Sequence, residues 1–161
     1  MTIIVSPCYY DNMDDGLTVT HRKLPHWRLA GATYLITFCL AEHQPPLAPE
    51  ERTLVESNLK HFHNERYHLL AHVVMDDHVH AIAYPFPGVE LSSITHGWKS
   101  FSANRLQRLF NRKGQIWMRE SHDRIIRSER DCYEKAEYVM TNPQRRWPGI
   151  KDYRWVGWMQ K

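Results

Sequence analysis

The chain has 161 residues, 42% hydrophobic and 24% charged, the size and balance of one globular domain, which excludes wholesale disorder. No apolar run approaches the length of a membrane span, and the N-terminal stretch lacks the basic start and apolar core of a signal peptide. The net charge of +3 hides an asymmetry: residues 1–98 carry 6 Lys/Arg against 11 Asp/Glu, and residues 99–161 carry 15 against 7.

Residues 1–20 read as a loose acidic arm. Residues 32–40, rich in β-branched and aromatic side chains, read as a strand ended by Gln44-Pro45-Pro46. Residues 49–66 read as a helix, with Val55, Leu59 and Phe62 on its apolar face. Tyr67 to Met75 and His78 to Tyr84 read as a hairpin about the turn-forming Asp76-Asp77. Residues 91–110 form an amphipathic helix, with Leu91, Ile94, Trp98 and Phe101 inward and Lys99, Arg105 and Arg108 outward. Short strand pieces follow at 116–118 and 124–127. Ser128-Glu129-Arg130-Asp131 then resembles a capping box and opens a helix running to about Asn142, where Pro143 stops it. Residues 144–161 form a tryptophan-rich tail that packs on the domain. The order β-α-β-β-α-β-α predicts an α+β fold: a ferredoxin-like or RRM-like palm, an antiparallel β-sheet with flanking α-helices on one face.

The three cysteines, Cys8, Cys39 and Cys132, are odd in number and far apart, so neither a disulfide framework nor a zinc pair is expected. A cytoplasmic setting is the default. Five of the six tryptophans fall at or after Trp98, within the basic part of the chain. Arginines interleaved with flat rings suit a nucleic-acid groove, the cations for phosphates and the rings for unstacked bases. A solvated basic helix with core tryptophans has the same composition.

Eleven histidines include two His-x-His pairs. His61 and His63 fall in the predicted helix, where residues two apart point in different directions. His68 and His72, four apart on a strand, are too distant to share an ion. His78 and His80 lie two apart on a strand, so both imidazoles project from one sheet face. In the last helix Glu134, Tyr138 and Asn142 share a face at spacings of four. If that helix packs near the hairpin, two neutral imidazoles and a carboxamide oxygen make a mixed N/O site suited to Mg²⁺ or Mn²⁺. The Tyr138 hydroxyl could then attack a phosphodiester. Glu134 is a candidate base one turn before it.

These residues resemble a known family. His78-Val79-His80 is similar to the HUH motif, two histidines about a hydrophobic residue. The stretch from Tyr138 to Pro143 is similar to the catalytic-helix signature of REP-associated tyrosine transposases, single-tyrosine relatives of bacterial insertion-sequence transposases. Residues 22–27, 31–34, 74–80, 98–104 and 117–124 resemble further family segments in the same order, so the likeness covers roughly residues 21–143. It departs after Pro143, where Gln144-Arg145-Arg146-Trp147 replaces a Gly-Leu-Val type of segment, and at His122, where an aromatic is common.

The resemblance implies a catalytic domain over 21–143 with His78, His80 and Asn142 as metal ligands and Tyr138 as nucleophile. It implies single-stranded DNA carrying REP/BIME-like hairpins as substrate, cleaved and rejoined through a 5′-phosphotyrosine. The protein would be a monomer or homodimer, cytoplasmic and nucleoid-associated. Lys99, Arg105, Arg108, Arg112, Arg145 and Arg146 are the expected phosphate contacts. Two other readings stand beside this one. One is a non-catalytic single-stranded nucleic-acid-binding module with an RRM-like sheet; the other is a metal-dependent phosphodiesterase with no covalent intermediate.

Overall fold

A computed structural model describes residues 31–158 and the backbone of 18–21 and 25–28. The expected arm at 1–20 lies outside these residues, except at its end: Thr18–His21 (β1) pairs antiparallel with Pro25–Arg28 (β2).

The central sheet has five antiparallel strands in the order β6-β3-β5-β4-β7. These are β3 (Thr33–Cys39), β4 (Tyr67–Val74), β5 (His78–Pro85), β6 (His122–Ile126) and β7 (Val156–Trp158). The first four are linked through helices α1 (Pro49–Lys60) and α2 (Leu91–Phe110) in the predicted β-α-β-β-α-β order. The α+β palm is therefore present.

Alternation along β3 sends Tyr34, Ile36 and Phe38 into one core. There they meet Val79, Ala81 and Ala83 of β5 and Leu54, Val55, Leu59, Leu91, Ile94, Trp98 and Leu106 of the two helices. The predicted helix over 49–66 ends earlier, at Lys60. Residues 61–66 form turns, with Asn64 in the left-handed region at φ 66°, a conformation asparagine tolerates. Phe62 is consequently 38% exposed and outside the core. In α2 the buried stripe runs Leu91, Ile94, Trp98, Ser102, Leu106, so Phe101, expected inward, is 50% exposed. Ser102 replaces it because its hydroxyl donates to the Trp98 carbonyl (2.6 Å) and accepts from the Trp117 indole N–H (2.9 Å).

The last helix differs from expectation in length and placement. It is α3 (Glu129–Met140), followed by the short α4 (Asn142–Arg146). The Ser128 hydroxyl accepts from the Asp131 N–H at 3.0 Å and starts α3. Cys132, Ala136 and Val139 pack on Ala71, Val73 and Ile82, a second core on the opposite sheet face. Helices therefore cover both faces, not one. β5 permits this because it is buried on both sides, with Ile82 facing α3 and Ala81 facing α1 and α2.

The tryptophans divide in the same way. Trp98 and Trp117 are core residues. Trp155 donates to the Thr53 hydroxyl (3.0 Å) and carries Arg52 on its ring, while Tyr153 donates to the Val74 carbonyl (2.7 Å). These contacts fasten the tail, whose β7 extends the sheet beside β4. Among the described residues these rings build and anchor the domain and do not form an open face for bases. Of the described cysteines, Cys39 is a free thiol and Cys132 is buried in the second core.

Candidate active site

His78 and His80 project from β5 on the face covered by α3. Their ring centroids are 4.7 Å apart. Strand alternation alone places them there, as Val79 between them enters the opposite core. Each ring is held by a neighbour. Thr37, the cross-strand partner of His80, places its hydroxyl 2.7 Å from His80 Nδ1. Asp77 Oδ1 lies 2.6 Å from His78 Nδ1. Both imidazoles thus use Nδ1 for support and keep Nε2 for the site, the arrangement by which a hydrogen-bonding partner fixes ring orientation in metal sites.

Asn142 is brought in from the other side. Pro143 lacks the N–H needed to continue α3, and the chain re-starts as α4 with Pro143 in its first turn. Asn142 is buried, and its Oδ1 faces His78 Nε2 at 3.3 Å. His78 therefore has an oxygen at each ring nitrogen. A metal cation at Nε2 would be shared with the Asn142 oxygen. Burial, reinforced by His78 and opposed by Asp77, pushes His80 down to about 4, so this ring is neutral at physiological pH. One neutral imidazole, a second with its Nε2 directed inward, and an amide oxygen form a donor set that fits Mg²⁺ or Mn²⁺. Among the described residues no group of three or more His, Cys, Asp and Glu side chains forms such a set.

Tyr138 stands one helical turn before Asn142, half-buried, with its ring 5.2 Å from that of His80. The Arg145 guanidinium lies 4.8 Å from the Tyr138 ring centroid. Glu134, the candidate base, is exposed and paired with Arg130 at 3.0 Å. It belongs to the helix surface.

Arg146 closes the arrangement. It bonds Asp76 Oδ2 (3.0 Å) and Asp77 Oδ2 (3.2 Å), tying α4 to the β4–β5 turn directly before His78. Burial raises the Asp77 carboxyl, but hydrogen bonding and charge from His78, then Arg146, outweigh it and hold Asp77 below the usual range.

The other expected phosphate contacts scatter. Lys99 donates to the Arg119 carbonyl at 2.7 Å. Arg105 lies over the Phe101 ring, and Arg108 is exposed near the end of α2. These three sit on α2, across the sheet from Tyr138. Arg112 is no surface cation: it is 8% exposed. Its guanidinium bonds Glu51 Oε2 (2.6 Å), the carbonyls of Pro45 (2.8 Å) and Pro46 (3.0 Å), and Gln44 Oε1 (3.0 Å). With its donors committed to the loop before α1, it has none to offer a phosphate.

Thr37 and the Asp76–Arg146 contact escaped sequence reasoning. Asp77 carried a signal, since it directly precedes His78. Thr37 carried none, being 43 positions from the ring it supports.

Comparison with known proteins agrees with this fold. A family described as IS200-like transposases matches residues 32–124. A solved REP-associated tyrosine transposase bound to a REP hairpin superposes with a TM-score of 0.71 at 18% identity, over 84% of this chain and 82% of that one. A crystal structure of a putative transposase from Deinococcus radiodurans R1 superposes at 0.53 and 19% identity, over 79% and 95% of the two chains. No curated protein matches the sequence.

Proposed function

The chain belongs to the family of IS200-like transposases, and from that premise we propose that it cleaves and rejoins single-stranded DNA beside REP-like hairpins, with Tyr138 as nucleophile. The observation that carries the reading is the meeting of Tyr138, His80, His78 and Asn142 from three separate elements, α3, β5 and α4. The hairpin partner rests on the ligand named for the structural relative.

In this reading the Tyr138 hydroxyl attacks the scissile phosphorus in line. A Tyr–O–P bond forms, the P–O3′ bond breaks, the phenolic proton leaves, and the departing strand ends in a 3′-hydroxyl. A 3′-hydroxyl attacking the phosphotyrosine reverses the step and rejoins DNA without ATP. His78, His80 and Asn142 would hold a Mg²⁺ or Mn²⁺ ion, which supplies Lewis-acid charge at a non-bridging phosphate oxygen. Thr37 and Asp77 keep the two imidazoles oriented. Arg145, beside the nucleophile, is placed to meet a phosphate.

The test uses 5′- and 3′-labelled hairpin oligonucleotides drawn from palindromes flanking the gene, with and without Mn²⁺, resolved on denaturing gels. The expected result is a metal-dependent adduct carrying the 3′ label, absent in Tyr138→Phe, which still binds. Tight hairpin binding with no adduct and no cleavage would replace this reading by the binding module. Cleavage that survives Tyr138→Phe would replace it by the hydrolase.

A further inference from the structure

Next to His78 the protein has a cavity of about 290 Å³ lined by Cys39, Glu42, Gln44, Pro46, Asp77 and His78, among others. It is large enough for one nucleobase. Its polar groups decide what it accepts. Gln44 is already engaged, its Nε2 on the Lys113 (2.7 Å) and Gln115 (2.9 Å) carbonyls and its Oε1 on Arg112 (3.0 Å). Asp77 is shared between His78 and Arg146. Burial and the nearby Asp77 push the Cys39 thiol up, so it lines the wall uncharged. Glu42 is exposed, and its carboxylate has no partner among the described residues. No lysine or arginine lines the cavity. Arg146 already meets the Asp77 charge, so Glu42 is the lining carboxylate that repels a phosphate and attracts N–H groups.

Position completes the argument. The ring of Tyr138 touches that of His80, and His80 touches His78. The cavity is lined by His78 and not by His80 or Tyr138. In-line displacement puts the leaving oxygen opposite the attacking one. A strand attacked from Tyr138 therefore directs its leaving nucleotide toward the cavity.

Resting on the reading of Tyr138 as nucleophile, we infer that this cavity holds the base of the nucleotide left with the new 3′-hydroxyl, and that Glu42 selects guanine there. Guanine presents two adjacent donors, N1–H and the N2 amino group, which a carboxylate accepts together. Adenine and cytosine offer one amino donor, and thymine offers a single N–H between two carbonyls.

The experiment uses hairpin oligonucleotides with randomised single-stranded flanks, incubated with Mn²⁺ and either the natural protein or Glu42→Gln. Sequencing of the released 3′-hydroxyl ends should show guanine over thymine by about tenfold at the terminal position, the discrimination a bidentate contact provides. In Glu42→Gln the bias should flatten while the adduct still forms. Unbiased ends, or a bias unchanged by the substitution, overturn the inference and leave the nucleophile reading standing. A second arm selects bound oligonucleotides in EDTA, where no cleavage is needed. Guanine enrichment at one flank position, lost in Glu42→Gln, is expected there too. If no adduct forms at all, the nucleophile reading fails and this arm alone decides the cavity's role, equal enrichment in both proteins counting against it.

Discussion

Replacing Arg112 by alanine separates a structural cation from a DNA-binding one. The guanidinium fills a site walled by the Glu51 carboxylate and three further acceptors. Its removal leaves Glu51 with only the Ala48 N–H, at 2.7 Å, and strands two backbone carbonyls. Breaking a buried pair by deleting one partner costs about 3–5 kcal/mol. The stranded carbonyls are part of that loss. In a chain of this size it lowers the melting temperature by about 10 °C. The pH dependence follows from Glu51. Burial pushes its carboxyl up, but the hydrogen bonds from Arg112 and Ala48 outweigh burial and hold it below its ordinary value. A folded value below the unfolded one means the stabilisation is fully present above the ordinary glutamate range and is lost as pH falls through the folded value. The gap between the natural protein and Arg112→Ala should therefore be widest at neutral pH and narrow in acid. Urea and thermal melts at pH 7 and in acid measure it, with hairpin affinity read at a temperature where both proteins are folded. An unchanged melting temperature together with weakened hairpin binding would show that the guanidinium faces DNA and refute the structural assignment.

Thr37→Val removes the hydroxyl 2.7 Å from His80 Nδ1 and keeps the strand's shape; metal-dependent cleavage should fall about 10–100-fold with a much smaller change in hairpin binding measured in EDTA. Gly157→Ala would bring a Cβ to 2.5 Å from His72 Cε1. His72 is fully buried, so it cannot yield, and denaturant melts should show a loss of about 1–3 kcal/mol.

The sheet was legible because its periods are simple. Tyr34, Ile36 and Phe38 alternate with Leu35, Thr37 and Cys39, and the two hairpin strands flank an Asp-Asp turn. The candidate site was legible for the same reason: His78 and His80 follow the strand period, and Tyr138 and Asn142 lie four apart, although α3 ends at Met140 and Asn142 opens α4. Their meeting was not legible, because the side of the sheet on which α3 packs depends on β5 being apolar on both faces. Helix ends were misplaced where the apolar pattern outran the backbone: Phe62 continues the spacing of α1, but the helix stops at Lys60. Charge was the least informative signal. Arg112 and Arg108 look alike in sequence, yet one is enclosed by Glu51 and three oxygens and the other is exposed. A local pattern does not reveal a partner 61 positions away.

In the proposed reaction, with Tyr138 as nucleophile, Arg145 is placed to act on chemistry as well as on binding. A phenol has an ordinary pKa of about 10 and must lose its proton as it attacks. Glu134 is exposed and pairs with Arg130 on the helix surface. The Arg145 guanidinium is 4.8 Å from the Tyr138 ring centroid. From beside the ring, on a partly solvated surface, a unit charge stabilises developing phenolate charge by about 1–3 kcal/mol. Arg145→Gln should then slow single-turnover adduct formation by about 5–100-fold. If Arg145 instead grips a phosphate in the ground state, the same substitution weakens hairpin binding and reduces the salt dependence by about one ion's share, near 0.7 in the slope for single strands. The two roles separate when adduct formation is followed at saturating DNA. A slowed rate there places Arg145 in the attack itself. A rate equal to that of the natural protein at saturation, with binding weakened, would confine Arg145 to anchoring the strand and leave the nucleophile's proton to be taken by another group.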